Sequence, residues 1–289
     1  MSEELRPLSE RTITDAIRVL NESTRGMSLE CHVDFFGFLS LWRLWNFSPE
    51  YSLLRYVGDE PAAVILTSID PEAHDAYAFY WGTLPEFRNQ RIGSSLFEAC
   101  CARLFEDGHT RLYATSAPDR PAQRYRSIYM YPQHDLVDME TGSPAPPVAE
   151  PGFQVRPIDI DAVSQVVLPP GESLHWSHRP SFLRNAGSCC RLFGAFAEGT
   201  LHAYMALGPS SSETALLDFR SPDSCLPAGH ELLRWLLLHN YPAPFTAANV
   251  VAGNYAHRLL ADAGFAIRRQ FSMLSRDLRA TCSTGTSHT

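Results

Sequence analysis

A chain of 289 residues has material for two ordinary domains, and 45% hydrophobic with 19% charged residues is the balance of a chain that buries its own cores. A formal net charge of -8 excludes general nucleic-acid binding, which needs a basic face against phosphate. No run of 18 apolar residues occurs, and the opening Met1 to Arg6 lacks a basic flank with an apolar stretch, so no spanning helix, signal peptide or membrane partner is expected and the reading is cytoplasmic.

The first elements follow in chain order. Leu5 to Leu8 reads as a short strand, and Thr12 to Asn21 as a helical stretch. Between Val33 and Phe47, Phe35, Phe38, Trp42 and Trp45 recur near helical spacing. Arg43 is the only basic residue in that stretch, which disfavours a membrane-surface helix. A packed core helix and a wall or lid of an apolar acceptor pocket both remain. Tyr51 to Val57 and Ala62 to Ser68 are strands of a hairpin around Gly58-Asp59-Glu60-Pro61. Ala76 to Trp81 is a further strand, Ile92 to Glu106 a helix closed by Gly108, Arg111 to Thr115 a strand and Ala122 to Tyr129 a helix.

Between the Ala76–Trp81 strand and the next helix lies a basic loop containing Arg88, Asn89, Gln90, Arg91, Gly93, Ser94 and Ser95. A helix start has N–H groups without partners and the positive end of the dipole, so it attracts anions. Two arginines add charge, and a glycine lets the backbone approach a ligand closely. A phosphate cradle is the chemical reading of this loop; a surface helix start with incidental arginines is the plain one.

Residues 140–152 are rich in proline and glycine and read as a semi-extended connector. Beyond it the layout repeats: Val155-Arg156-Pro157-Ile158 echoes Leu5-Arg6-Pro7-Leu8, and a helical stretch follows from Ile160 to Val167. Arg191 to Phe196 and Leu201 to Ala206 flank Glu198-Gly199 as a hairpin. Then come a strand from Thr214 to Phe219, a helix from Ala228 to His239, a strand from Phe245 to Val251, a helix from Asn254 to Ala263 and a last strand from Ala266 to Leu274. Superposing the two long helices sets Gly93 on Gly229 and Leu96 on Leu232, while Arg88 falls on Ser224 and Arg91 on Pro227. The second loop keeps the glycine and has lost the charge. Seven cysteines show no Cys-x-x-Cys spacing, so reduced thiols and no metal are expected.

The loop resembles the pyrophosphate-binding motif of the GNAT N-acetyltransferases, Gln/Arg-x-x-Gly-x-Gly/Ala, with Arg88 at the first position, Arg91 where the first glycine usually stands and Gly93 at the last. The lead-in Leu84-Pro85-Glu86-Phe87 matches as well. Asn254 to Phe265 is similar to the family's late motif, with Leu260 at its usual tyrosine, a side chain that has no proton to give. The resemblance implies an α/β (α+β) chain of two tandem GNAT-like domains, each a mixed, mostly antiparallel central sheet flanked by helices. Residues 1–140 would form the acyl-CoA-binding domain, 141–152 the linker, 153–280 a degenerate domain and 281–289 a disordered tail.

It also implies transfer of an acetyl group from acetyl-CoA, as co-substrate and without a metal, to an amine that attacks the thioester directly. Thr83, Leu84, Phe87, Arg88, Asn89, Gln90, Arg91, Ile92, Gly93, Ser94 and Ser95 would hold the cofactor, with Arg91 remaining helical. Tyr125, or Tyr129 one helical turn later, would be the acid, and Asp75, beside His74, a candidate base, unless a water relay serves. Glu86 reads as structural or solvated. The acceptor would be a small-molecule amine, a peptide N-terminus or a lysine, and the chain a monomer or homodimer. The alternative is a non-catalytic CoA-responsive sensor or protein-interaction module on the same fold.

Overall fold

A computed structural model describes residues 3–27, 30–116, 122–141, 146–166, 175–209, 214–222, 225–240 and 245–279. The first elements are β1 (Glu3–Pro7), α1 (Ile13–Thr24), α2 (Phe35–Trp45), β2 (Leu53–Val57), β3 (Glu60–Asp70), β4 (Asp75–Thr83), α3 (Ile92–Glu106) and β5 (Arg111–Thr115). β6 (Tyr131–Thr141), β7 (Gln154–Pro157), α4 (Pro180–Ala186), β8 (Arg191–Ala197), β9 (Thr200–Pro209) and β10 (Thr214–Arg220) follow. The chain then runs through α5 (Leu226–Asn240), β11 (Phe245–Val251), α6 (Tyr255–Asp262) and β12 (Phe265–Asp277).

The chain divides into two units, Met1–Gln133 with the chain from Ser272, and His134–Phe271. In the first unit β1, β2, β3 and β4 pair in sequence as antiparallel neighbours, β4 pairs with β5 in parallel, and β5 pairs antiparallel with Met273–Asp277 of β12. The second unit repeats the pattern: β7 to β10 are antiparallel neighbours, β10 and β11 are parallel, and Leu136–Glu140 of β6 pairs antiparallel with β11. The outermost strand of each unit thus lies outside the sequential run of the others: β12 follows the second unit's strands in sequence, and β6 precedes β7. Residues 134–140 therefore belong to the second unit and the chain from Ser272 to the first, unlike the sequential division expected from the linker. The apolar residues Leu136, Val137 and Met139 of β6 are buried beside β11, and Leu274 of β12 joins the core under α3.

β3 carries the continuous apolar run Ala62–Leu66, all buried, as a central strand covered on both faces requires. On one face α3 presents Ile92, Leu96, Cys100 and Leu104 at helical spacing to Ala63, Ile65, Ala76 and Ala78. On the other, α1 and α2 bring Ile13, Ala16, Leu20 and Phe38 against Leu54, Val64 and Leu66. Only Phe38 of α2 is fully buried; Trp42 and Trp45 are partly covered, while Phe35, Phe36 and Leu39 face outward. The aromatic helix is therefore packed along one side only.

Two expected helices are shorter than their patterns. Ala122–Ile128 is a 3-10 turn, and Tyr129 after it has φ 58, so Tyr125 and Tyr129 do not share a helix face. Ile160–Gln165 is also a 3-10 turn, and Val167 lies outside the described residues, as do 142–145 of the linker and the tail from 280.

Candidate functional site

The site begins where two strands part. β4 and β5 pair only from Asp75–Ala78 to Arg111–Ala114, yet β4 runs on to Thr83. Its register against β3 slips between Leu66 and Thr67, leaving Phe79 as an extra residue, a bulge that increases local twist. Phe79 and Tyr80 both pack on the α1–α2 side, and Trp81 packs on the α3 side. β5 instead stays with β12, Ser116 donating to the Ser272 carbonyl. The β4 edge from Phe79 to Thr83 consequently has no strand beside it among the described residues, and a wedge opens toward the strand's C-terminal end.

At that end the chain turns into α3. The Leu84 amide donates to the Ala62 carbonyl and its side chain is buried, so Leu84 anchors the loop from below. Phe87 packs between both cores. The guanidinium of Arg88 donates from Nε to the Thr83 carbonyl (3.2 Å) and from Nη2 to the Ser23 carbonyl (2.9 Å), which ties the loop to the end of α1. Gln90 donates to the Glu86 carbonyl at 2.9 Å. Arg88 thus braces the loop, a contact sixty-five positions away in sequence that spacing does not reveal.

Arg91 is the N-cap residue of α3 and is not helical. Its φ of 62 and ψ of 4 are left-handed, and Asn89 is left-handed too, at φ 63. A glycine adopts this backbone freely; an arginine adopts it at a cost of about 1–2 kcal/mol. Gly93 is needed for a different reason. A Cβ there would stand 2.5 Å from Thr83 Oγ1, while the Trp81 indole donates to the Gly93 carbonyl at 3.0 Å. The helix start is thereby pressed onto the end of β4.

No side chain caps α3, and among the described residues the amides of Ile92, Gly93 and Ser94 have no acceptor. Ser95 closes the turn, its amide on the Arg91 carbonyl, its hydroxyl donating to the Ile92 carbonyl and accepting from Arg55 (3.1 Å). Exposed Arg91 and Ser94 flank three open N–H groups at the positive helix end: an anion site in chemical terms. Of Thr83 to Ser95, the side chains of Leu84 and Ile92 are buried beneath the loop, while Arg88 to Arg91 and Ser94 are exposed at the mouth of the wedge. Ser23, Arg55, Tyr80 and Trp81 support it and were not foreseen; Arg55, Tyr80 and Trp81 lie inside strand patterns, but their contacts with Ser95, Ser23 and Gly93 are not local in sequence.

The proposed acid–base residues are dispersed. Asp75 is buried at the opposite end of β4, eight residues and roughly 25 Å from Thr83, so the structure does not bring it to the loop. Tyr125 packs half-buried on the α3 core, and Tyr129 is 53% exposed. At the base of the wedge, burial pushes the Tyr77 phenol up to about 12, and its hydroxyl shares a 2.8 Å hydrogen bond with Thr115. Among the described residues no group of three His, Cys, Asp or Glu is placed to hold a metal, and no helix is long and apolar enough to cross a membrane.

The second unit has the same wedge, filled by its own chain. β10 and β11 pair only over Thr214–Leu216 and Phe245–Ala247. Beyond that pairing, His178, from the 3-10 turn Trp176–His178, reaches the Ala248 carbonyl at 3.2 Å. Arg220 donates to the His178 carbonyl and, at 3.1 Å, to Asp218, which also accepts from Tyr204 at 2.5 Å. The space left is about 20 Å³, room for one water. Gly229 at the α5 start meets Ser221 as Gly93 meets Thr83. Ser224, the counterpart of Arg88, lies outside the described residues.

A mixed sheet whose parallel pair splays toward an uncapped, basic helix start is a fold with known counterparts among the acetyltransferases. The model of the acetyltransferase (GNAT) family matches residues 21–126. Among solved structures, a GCN5-related N-acetyltransferase from Sphaerobacter thermophilus superposes with a TM-score of 0.71 at 13% identity, covering 96% of each chain. A tandem GNAT protein from the clavulanic acid biosynthesis pathway gives 0.69 at 15% identity, over 96% of this chain and 99% of that one. Eis1 from Mycobacterium abscessus gives 0.56 at 12% identity, over 98% and 75%. No curated protein matches the sequence. The family model thus covers residues 21–126, within the first unit, and the chain as a whole has the fold of a tandem GNAT protein.

Proposed function

We propose that the first unit transfers an acetyl group from acetyl-CoA to an amine, a small molecule or a peptide or lysine amine, and that the second unit takes no acyl-CoA. The observation that carries the reading is the uncapped start of α3, with the Ile92, Gly93 and Ser94 amides open beside Arg91 at the mouth of the β4–β5 wedge. A pyrophosphate on those amides would lead the pantetheine arm along the β4 edge that β5 leaves after Ala78. The acceptor nitrogen attacks the thioester carbonyl, the C–S bond breaks, and the thiolate takes a proton. Tyr125, with Tyr129 in reserve, is the proposed donor, and a water relay the proposed base, since Asp75 stands at the far end of the strand.

Calorimetry with acetyl-CoA and CoA, followed by free-thiol release against a panel of amines, tests this. Binding with amine-dependent thiol release supports it. Binding without release under any amine favours a CoA-responsive sensor, and no binding at all defeats both.

A further inference from the structure

One residue of β12, within the first unit, makes side-chain contacts that span several elements. Arg276 of β12 stands opposite Leu112 of β5, and its side chain is 4% exposed. Its guanidinium forks onto both carboxylate oxygens of Glu98, at 2.7 Å each, and Glu98 lies on α3. The same Nη1 donates to the Ile128 carbonyl at 3.2 Å, in the turn between the two proposed acid tyrosines. The guanidinium carbon also lies 5.5 Å from the ring centres of Phe97 and Tyr129. Phe97 in turn packs at a tilt against Trp81, ring centres 4.9 Å apart, and Trp81 holds the Gly93 carbonyl. One side chain therefore joins the last strand, the cofactor helix, the tyrosine turn and, through two rings, the amides of the anion site.

An apolar helix face lets a helix slide and rotate on a sheet; a planar two-pronged ion pair fixes both degrees of freedom. We propose that Arg276 is a positioning residue for acyl-CoA binding: it sets the rotation of α3 and the seat of the tyrosine turn, so the first unit's site is complete only with a strand that follows the whole second unit in sequence. The inference rests on the acyl-CoA reading of that site.

The test uses the full chain and its R276K, E98Q and double variants, with CoA as probe in calorimetry at a temperature where thermal scans show each fully folded. Lysine keeps the charge and loses the fork; E98Q alters a half-exposed partner and folds even if the arginine position proves intolerant. Each single variant is expected to weaken CoA about ten-fold, the loss of roughly one charged hydrogen bond's worth of alignment. The double variant should be no weaker than R276K alone. R276K or E98Q binding CoA as tightly as the parent overturns the inference, as do additive losses. A parent chain that fails to bind CoA overturns instead the functional reading beneath it.

Discussion

Arg91 offers a way to separate backbone from charge at the anion site. Replacing it by alanine removes the guanidinium but leaves a Cβ on a left-handed residue; replacing it by glycine removes both. The left-handed conformation costs an L-residue about 1–2 kcal/mol, and glycine returns about 0.5–1 kcal/mol of that through its freer unfolded chain. R91G should therefore be more stable than R91A by about 0.5–1 kcal/mol, a shift of roughly 1–3 °C for a chain of this size. Toward acetyl-CoA the two should be alike, each weaker than the parent by about ten-fold at low salt, the effect shrinking as ionic strength rises because the side chain is exposed. Thermal melts and calorimetry at two salt concentrations give both readouts. Equal melting of R91A and R91G would refute the strained cap, and unchanged affinity in both would refute the phosphate role of this arginine.

Three further outcomes follow from the same geometry. R88K should lower the melting temperature by the equivalent of about 1 kcal/mol in differential scanning calorimetry, because an ammonium cannot bridge the Thr83 and Ser23 carbonyls together. Its affinity for CoA should fall less than that of R91A. G93A and G229A should destabilise to a similar degree, about 1–3 kcal/mol by denaturant melts, since the added methyl meets Thr83 in one case and Ser221 in the other; only G93A should weaken CoA binding. Burial holds His175 and His178 below the usual histidine range. A lowered folded-state pKa means the unfolded chain takes the extra proton first, so stability present above about pH 6.5 is lost as pH falls, by up to about 1.4 kcal/mol per pH unit for each histidine. H178Q should flatten that slope in melts taken from pH 7.5 to 5, and an unchanged slope would remove His178 from the account.

What could be read in the sequence depended on how local the physics was. α3, β5 and β11 agree with their sequence patterns because hydrophobic spacing and a closing Gly108 define them within a few residues. β6 escaped notice because Pro132, Asp135, Asp138 and Glu140 interrupt its apolar residues, and its burial is decided by β11, more than a hundred residues away. The exchange of β6 and β12 is invisible to any window that stops at the linker. At the site, the glycine and the arginines were legible as types. Their jobs were not: Arg88 binds carbonyls because α1 ends beside it, and Arg91 is left-handed because Gly93 and Thr83 fix where the helix must begin.

The contrast between the two wedges supports the proposal of a single acyl-CoA site in the first unit. Each sheet has a parallel pair that stops after three or four residues, and each leaves strand backbone polar groups that need partners. In the second unit those partners are internal: His178 caps the Ala248 carbonyl, and Asp218, Arg220 and Tyr204 satisfy one another behind it. An entering ligand would have to displace a buried ion pair and leave charged groups without partners, a cost of several kcal/mol before any contact is made. In the first unit the corresponding edge ends at a helix whose first amides are open and whose nearest arginine is exposed, so a phosphate adds hydrogen bonds without removing any. The loss of two arginines from the second loop is thus only half of the asymmetry. Restoring them by substitution at Ser224 and Pro227 would leave the wedge closed, and acyl-CoA should still bind the chain once.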